Sequence, residues 1–255
     1  MAILTKYPVS FAGSTGLPQI TIATPPPPPP TAGVDTYSYR FIPSRSTLGV
    51  DTPVDSLTNE VTNGAPLVQS IIGSQPLLRR NGSEAWIDFD GVNDSIKLAT
   101  FAPTSGFTVS IVARVQSTAF ATLVNLTNPG GTDMQMVSQP QAGSAKFDIR
   151  NNPTSRLALS DTTKNPGDGN WHVLSGVFNG TSSVVAFDGI STAGAIGTGN
   201  ANRFTLGDTN MGSLGGVIPN YDIAEVIIWP TTLTGAQLTG TVYPALKAAH
   251  PTLLP

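Results

Sequence analysis

The chain has 255 residues, of which only 11% are charged, with 26 glycines, 22 prolines and a formal net charge of −3. This composition disfavours a helical bundle and favours short strands joined by tight turns, and it is unlike the highly charged composition of disordered chains. The absence of cysteine excludes disulfides, cysteine–zinc sites and thiol nucleophiles, and the 13 scattered lysines and arginines argue against a nucleic-acid partner.

The first 33 residues differ in composition from the remainder. Residues 1–24 carry too little apolar bulk to form a core, and we interpret them as a docking arm. Pro25–Pro30 is an unbroken hexaproline, which predicts a stiff polyproline II spacer within a linker over residues 25–33. Residues 34–255 are then predicted to form one globular domain.

Neither a membrane span nor an export signal is predicted. No apolar run approaches the roughly 20 residues needed to cross a bilayer. Met1–Lys6 lacks a basic region followed by an apolar core, which is the pattern of a signal peptide. We therefore expect no membrane partner and synthesis in a cytoplasm.

Strand and turn patterns follow one another along the globular part. Within Ala85–Leu98, the bulky residues of Trp86–Phe89 precede an Asp90-Gly91 turn, and apolar alternation resumes in Ser95–Leu98. This stretch is predicted to be two paired strands with a turn between them. The predicted strands, in chain order, are Thr36–Ile42, Pro66–Ile72, Gln75–Leu78, Trp86–Phe89, Ser95–Leu98, Phe107–Val115, Ala121–Leu126, Asp133–Val137, Ala145–Arg150, Leu157–Leu159, Trp171–Asn179, Ser183–Phe187, Arg203–Leu206 and Ala224–Trp229.

Turns and a terminal helix complete this pattern. Asn179-Gly180 and Asp188-Gly189 are typical of hairpin turns. Thr234 is suited to cap a helix running to Val242, after which Pro244 is expected to kink or restart it. The density of short strands and tight turns predicts a β-sandwich or jelly roll.

Four blocks of sequence, in order, resemble the concanavalin A-like, laminin-G-like jelly rolls that are common in bacteriophage structural proteins and bacterial surface proteins. The resemblance covers nearly all of residues 34–255 and implies an all-β fold of two stacked antiparallel sheets, followed by a short C-terminal helix. The blocks are Gln75–Leu78 with Trp86–Asp94, Phe107–Ile111, Gly169–Val173 continuing to Asp188-Gly189, and Ile223–Trp229 with Leu233 and the terminal helix.

Some enzymes share this fold, so carboxylate pairs suited to glycoside hydrolysis are of interest. The Glu-x-Asp-x-x-Glu signature of those enzymes is absent. Glu84, Asp88 and Asp90 have spacings that place them on one face of a strand, but Asp90 belongs to a turn. Asp222 and Glu225 are three residues apart and are predicted to face opposite sides. We therefore expect no enzymatic activity.

The chain contains two histidines, and both are expected to be structural. Trp171 and His172 are neighbours in a predicted strand, so one faces inward and the other outward. We expect Trp171 to pack in the core and His172 to be exposed or hydrogen-bonded. His250 lies in the terminal helix. The composition permits a Ser-His-Asp triad, but no Gly-x-Ser-x-Gly elbow supports one.

Two loops offer oxygen-bearing and aromatic side chains for a ligand. No cofactor is required, but calcium is a possible one, because related jelly rolls often hold it at the sandwich rim. Sugar binding calls for hydrogen-bonding side chains beside an exposed aromatic ring, and Tyr221 is the predicted ring. The candidate calcium ligands are Asn125, Asp133, Asp208 and Asp222, and the candidate glycan-binding residues are Asn128, Asp133, Asn210 and Tyr221.

These observations favour a non-enzymatic virion protein of a tailed phage, assembled in the host cytoplasm. Its expected partners are other virion proteins, bound through residues 1–30, further copies of itself in a homo-oligomer, and host-surface glycans bound by the jelly roll. A bacterial surface carbohydrate-binding module is the alternative, and a glycoside hydrolase is a third hypothesis. The lack of an export signal opposes the second, and the missing carboxylate signature opposes the third.

Overall fold

The computed structural model describes residues 37–98, 100–101, 103, 106–116, 120–127, 134–139, 146–151, 155–160, 163–197, 201–207 and 220–255. The predicted docking arm and proline linker lie outside these residues. The described part of the chain forms two stacked antiparallel sheets and a C-terminal helical segment. The predicted all-β, concanavalin A-like sandwich with a short terminal helix is confirmed.

Sheet A contains the longest strands of the described chain. They are β1 (Tyr39–Phe41), β2 (Thr52–Pro53), β5 (Leu77–Asn81), β6 (Glu84–Asp90), β8 (Phe107–Val115), β13 (Trp171–Phe178), β14 (Ser183–Phe187), β15 (Ile190–Gly194) and β17 (Asn220–Trp229). Their order is β15-β14-β13-β8-β17-β6-β5-β2, and β1 pairs with the C-terminal half of β17. Strands β8 and β17 lie at the centre, because their β-branched and aromatic residues can be buried on both faces.

Sheet B lies against sheet A. Its strands are β3 (Ser56–Leu57), β4 (Leu67–Val68), β7 (Ile96–Leu98), β9 (Ala121–Leu126), β10 (Met134–Gln139), β11 (Lys146–Arg150), β12 (Arg156–Ser160) and β16 (Thr205–Leu206). Their order is β12-β11-β10-β9-β16-β7-β4-β3. The inner faces of the two sheets form the main hydrophobic core, which includes Leu78, Phe89, Ile111, Phe147 and Phe204.

The predicted pairing of Trp86–Phe89 with Ser95–Leu98 is wrong. Both stretches are strands, but β6 belongs to sheet A and β7 belongs to sheet B. The Asp90-Gly91 turn therefore carries the chain from one sheet to the other. The hairpin partner of β6 is β5, to which it is joined through Gly82 at φ +62°. Turn residues predict that the chain reverses direction, but they do not determine which two strands pair.

The two predicted turns around β14 connect antiparallel neighbours as expected. Asp188 and Gly189 both have positive φ, at +43° and +84°, which is the conformation of a type I′ hairpin turn. Gly180–Ser182 forms a 3-10 turn between β13 and β14, so the Asn179-Gly180 connection is longer than a two-residue hairpin.

The C-terminal helical segment covers part of the outer face of sheet A. It consists of α1 (Gly235–Gln237), a π-helical turn (Leu238–Val242) and α2 (Tyr243–Ala249). Thr234 caps α1 in a reciprocal capping box with Gln237, as predicted from its position. Pro244 lies in the first turn of α2, where its missing N–H is tolerated.

Apolar side chains of this segment pack with Val112, Val177, Ile227 and Trp229 in a second core. On β5 and β6 of the same face, Arg79 and Asp88 are partly exposed. None of the helices in the described part of the chain is both long and apolar enough to cross a bilayer.

A β-bulge in β17 changes which side chains share a face. Asp222 pairs with Arg114 and Glu225 pairs with Val112, with Ala224 as the additional residue between them. The prediction that Asp222 and Glu225 face opposite sides is therefore wrong, because both lie on the outer face of sheet A. Each is engaged in its own ion pair there, Asp222 with Arg114 and Glu225 with Arg40.

Candidate functional site

A pocket of about 490 Å³ opens where the C-terminal segment ends on the outer face of sheet A. Strand β13, the loop before it, the β14–β15 turn and helix α2 each contribute side chains to it. Its lining residues are Arg114, Lys164, Gly169, Asn170, Trp171, His172, Asp188, Tyr243, Lys247, Thr252, Leu253, Leu254 and Pro255.

Trp171 and the guanidinium group of Arg114 form one wall of the pocket, and Trp86, which does not line the pocket, packs against both. Trp171 and Trp86 are half-buried and meet edge to face, with ring centroids 5.7 Å apart. The guanidinium carbon of Arg114 lies 5.0 Å from the centroid of Trp171 and 5.5 Å from that of Trp86. These are cation–π distances, so the two rings and the arginine hold one another in fixed orientations.

Arg114 is held in place by hydrogen bonds as well as by the two aromatic rings. Its Nε and Nη2 each lie 2.7 Å from Oδ2 of Asp222, and Gln116 donates to the same oxygen at 3.1 Å. Burial raises the pKa of Asp222, and the positive charge of Arg114 acts in the opposite direction. A planar group held this firmly is preorganised to donate hydrogen bonds to a ligand.

A buried histidine ties together the loop and the turn on the other side of the pocket. The Nδ1 of His172 lies 2.7 Å from Oδ2 of Asp188, and its Nε2 lies 3.0 Å from Oδ1 of Asp168. Asp188 also accepts from the backbone N–H of Val173, and Lys164 donates to the backbone carbonyl of Asp188 at 3.1 Å. This network fixes the positions of Lys164 and Trp171 at the pocket rim.

The protonated form of His172 suits this position. Burial lowers its pKa, but the hydrogen bonds and negative charges of Asp188 and Asp168 outweigh burial and raise the pKa above its usual value. With both nitrogens bonded to carboxylates, His172 has no nitrogen left to activate a serine. The Ser-His-Asp arrangement that the composition permits is therefore not built around this histidine.

The predicted orientations of Trp171 and His172 are reversed. His172 lies on the inner face of sheet A, where its ring packs edge to face on Phe187. Trp171 lies on the outer face, packed against the second core under the C-terminal segment. The expectation that His172 is hydrogen-bonded is confirmed. Trp171 can lie on the outer face because apolar side chains cover both faces of sheet A.

Tyr221 is not an exposed aromatic residue, and its predicted role in sugar stacking is wrong. Its ring is fully buried and stacks on Phe89 with centroids 4.5 Å apart, and its hydroxyl donates to the carbonyl of Leu123 at 3.0 Å. The other predicted glycan-binding residues, Asn128, Asp133 and Asn210, lie outside the described residues.

The predicted calcium ligands do not form one set. Asn125 belongs to β9 of sheet B, whereas Asp222 lies on the outer face of sheet A in its pair with Arg114. Asp133 and Asp208 lie outside the described residues. In the described part of the chain, no group of three histidine or acidic side chains is arranged to hold a metal ion. Asn125 and Asp222 therefore do not fit a shared calcium site.

The residues of this pocket received little weight from sequence reasoning. The sequence predicts Trp171 in the core and Arg114 within the strand Phe107–Val115, and it places Tyr243 between the expected helix end at Val242 and the kink at Pro244. Arg114 is the residue from which the site could have been predicted. A charged residue in an otherwise buried strand requires either an ion-pair partner or an exposed position.

Comparison with known proteins identifies the fold. No protein family and no curated protein matches the sequence. Domain 4 of AbnA, a GH43 extracellular arabinanase from Geobacillus stearothermophilus solved with arabinotriose, has a TM-score of 0.58 at 15% identity over 80% of this chain and 97% of that chain.

Two further solved structures share the same architecture. The binding domain of botulinum neurotoxin DC, solved with rat synaptotagmin II, has a TM-score of 0.56 at 12% identity and covers 83% of this chain. A Trypanosoma rangeli sialidase mutant has a TM-score of 0.56 at 10% identity over 83% of this chain. This chain spans 52% of the neurotoxin chain and 33% of the sialidase chain. The likeness establishes the β-sandwich fold.

Proposed function

We propose that this sandwich is a non-enzymatic carbohydrate-binding module and that the pocket beside Trp171 is its binding site. The observation that supports this most strongly is the wall formed by Trp171 and Arg114 and held in place by Trp86, in which aromatic surface lies next to a partly exposed guanidinium donor. A pyranose or furanose ring offers C–H groups for an aromatic face and hydroxyls for such donors. Asn170 and Lys164 add polar groups at the rim.

The states of the nearby carboxylates support binding rather than hydrolysis. A glycosidase needs one carboxyl group as acid and another as base or nucleophile, both able to reach the sugar. On this face Asp222 is paired with Arg114 and Asp88 is paired with Arg79, and at the rim Asp188 is bonded to His172. Carboxylates committed in this way orient other groups instead of exchanging protons with a substrate.

The direct test is binding of the purified full chain to a glycan array, with turnover assays on every glycan that binds. We expect binding to a restricted set of glycans and no release of reducing sugar. Binding of none of the glycans by a folded chain would overturn the proposal, and measurable hydrolysis would overturn its non-enzymatic part.

We further propose that residues 1–33 display this module on a tailed-phage particle. The composition of residues 1–24 and the following hexaproline support a docking arm joined to a stiff spacer. Many copies held away from a surface would convert weak glycan binding into avidity. Deleting residues 1–24 should abolish incorporation into particles while leaving glycan binding by the free chain unchanged. Incorporation of the shortened chain would contradict the docking role.

A further inference from the structure

A continuous row of side chains leaves the pocket and crosses sheet A at right angles to its strands. Trp171 is the direct cross-strand partner of Arg114, Arg114 of Asp222, and Asp222 of Asp88. Directly opposed residues in antiparallel strands project on the same face, so these four side chains share the outer face. On β5 the row ends at Arg79, which is the cross-strand partner of Trp86 and reaches Asp88 diagonally through its ion pair.

Except for Asp222, which is buried beneath Arg114, this row is accessible to a ligand beyond the pocket. The side chains of Arg114 and Arg79 are 29% and 36% exposed, and that of Asp88 is 22% exposed. Asp51, which bonds to the far side of Arg79, is 62% exposed. From β13 to β5 the row crosses four strand spacings, which is about 19 Å at the usual separation of hydrogen-bonded strands. The backbone positions that carry Trp171 and Arg79 are therefore farther apart than a single sugar ring can span.

The charges along the row are paired. Arg114 bonds to Asp222, and Arg79 bonds through Nε to Asp88 at 2.8 Å and through Nη1 to Asp51. The row therefore contains two arginines and three aspartates and carries no excess of positive charge. A surface of this kind supplies oriented donors and acceptors for hydroxyl groups, but it does not attract an anionic polymer.

We infer that the site takes a neutral, linear oligosaccharide that runs across the strands, with one unit against Trp171 and the adjacent Arg114 and Trp86, and later units toward Arg79. This inference rests on the proposed carbohydrate-binding function and adds a ligand class and a second subsite. Trp86 lies next to Trp171, with ring centroids 5.7 Å apart, and extends the aromatic surface at the near end, whereas Arg79 with Asp51 marks the far end.

The test is calorimetric titration of the full chain with size series, from monosaccharide to hexasaccharide, prepared from arabinan, xylan, cellulose and polygalacturonate. We expect affinity for a neutral series to rise with length until the row is filled. Arg79→Ala should leave the binding of monosaccharides unchanged and weaken the binding of long chains about tenfold, the effect of one hydrogen bond to a charged group.

Arg45→Ala is the matched control, because Arg45 forms a similarly exposed ion pair with Glu60 away from the row. It should bind every length as the wild type does. Equal affinity of the wild type for monosaccharide and hexasaccharide, an unchanged Arg79→Ala variant, or a preference for polygalacturonate would each overturn the extended neutral site while leaving the pocket in place. Failure of all four series to bind a chain that binds other glycans on the array would overturn the extended neutral site alone, whereas failure in both experiments would overturn the proposed function as well.

Discussion

His250→Ala should destabilise the fold by about 3–5 kcal/mol, the usual cost of breaking a buried ion pair. His250 caps the C-terminus of α2 and is buried, with its Nδ1 2.9 Å from Glu84 and its Nε2 2.8 Å from Glu225. Glu225 also accepts from Nε of Arg40 at 2.6 Å. Removing the imidazole leaves two buried carboxylates with one cation, and it detaches the end of the helical segment from sheet A.

The same contacts give this stabilisation a defined pH dependence. Burial lowers the pKa of His250, but hydrogen bonds to Glu225 and Glu84 outweigh burial and raise it to about 9. A group whose pKa is higher in the folded state stabilises the fold fully below its unfolded value of about 6.5. The contribution is lost as the pH rises through about 9.

Urea unfolding of the wild type and of His250→Gln at about pH 6 and about pH 9.5 measures this contribution. The glutamine keeps hydrogen-bonding capacity but does not titrate, so the difference in unfolding free energy should be large at the lower pH and small at the higher one. Because the pKa of His172 is also raised, a His172→Gln variant serves as the control. It should retain the pH-dependent stabilisation that His250 provides. A difference that does not change with pH would contradict this origin of the stabilisation.

Gly207→Ala should destabilise the fold by about 3 kcal/mol or more through two effects at one position. Gly207 has φ +73°, where an L side chain costs roughly 1–2 kcal/mol. A Cβ there would lie 2.3 Å from the carbonyl oxygen of Asp94 and 2.6 Å from the ring of Phe89. Relieving these contacts would require displacing a backbone segment and the Phe89–Tyr221 stack, and such overpacking costs about 1–3 kcal/mol.

Gly82→Ala separates the two effects, because Gly82 has φ +62° and no atom lies within 4 Å of the position that a Cβ would occupy. This variant should lose only the stability that an L side chain costs at positive φ, about 1–2 kcal/mol. Chemical denaturation of both variants gives the comparison. Equal losses would mean that the chain near Asp94 and Phe89 yields to the added methyl group without cost.

Much of the fold follows from interactions between residues that are close together in the sequence. The Asp188-Gly189 turn and the Thr234 cap are decided by short-range sterics and hydrogen bonds, so the sequence predicts them directly. The strands Phe107–Val115 and Ala121–Leu126 have the bounds expected from their β-branched content. Such features depend on a few neighbouring residues.

The candidate site depends on contacts between residues far apart in sequence, which local sequence patterns do not predict. The additional residue Ala224 in β17 reverses the alternation of inward and outward side chains, which brings Asp222 onto the face of Glu225. Trp171 faces outward because a distant C-terminal segment covers that face. Tyr221 is buried because Phe89, from another strand, stacks on it. Each outcome is decided by contacts between residues far apart in sequence.

The most direct test of the central claim is a calorimetric titration of the best array-binding glycan into the wild type and into Trp171→Ala. Trp171 provides the aromatic surface of the pocket and orients Arg114, so we expect its removal to weaken binding by about 30-fold or more, as for a binding hot spot. Unfolding curves of both proteins confirm that the variant is folded. Unchanged affinity in folded Trp171→Ala would contradict the assignment of this pocket as the carbohydrate site.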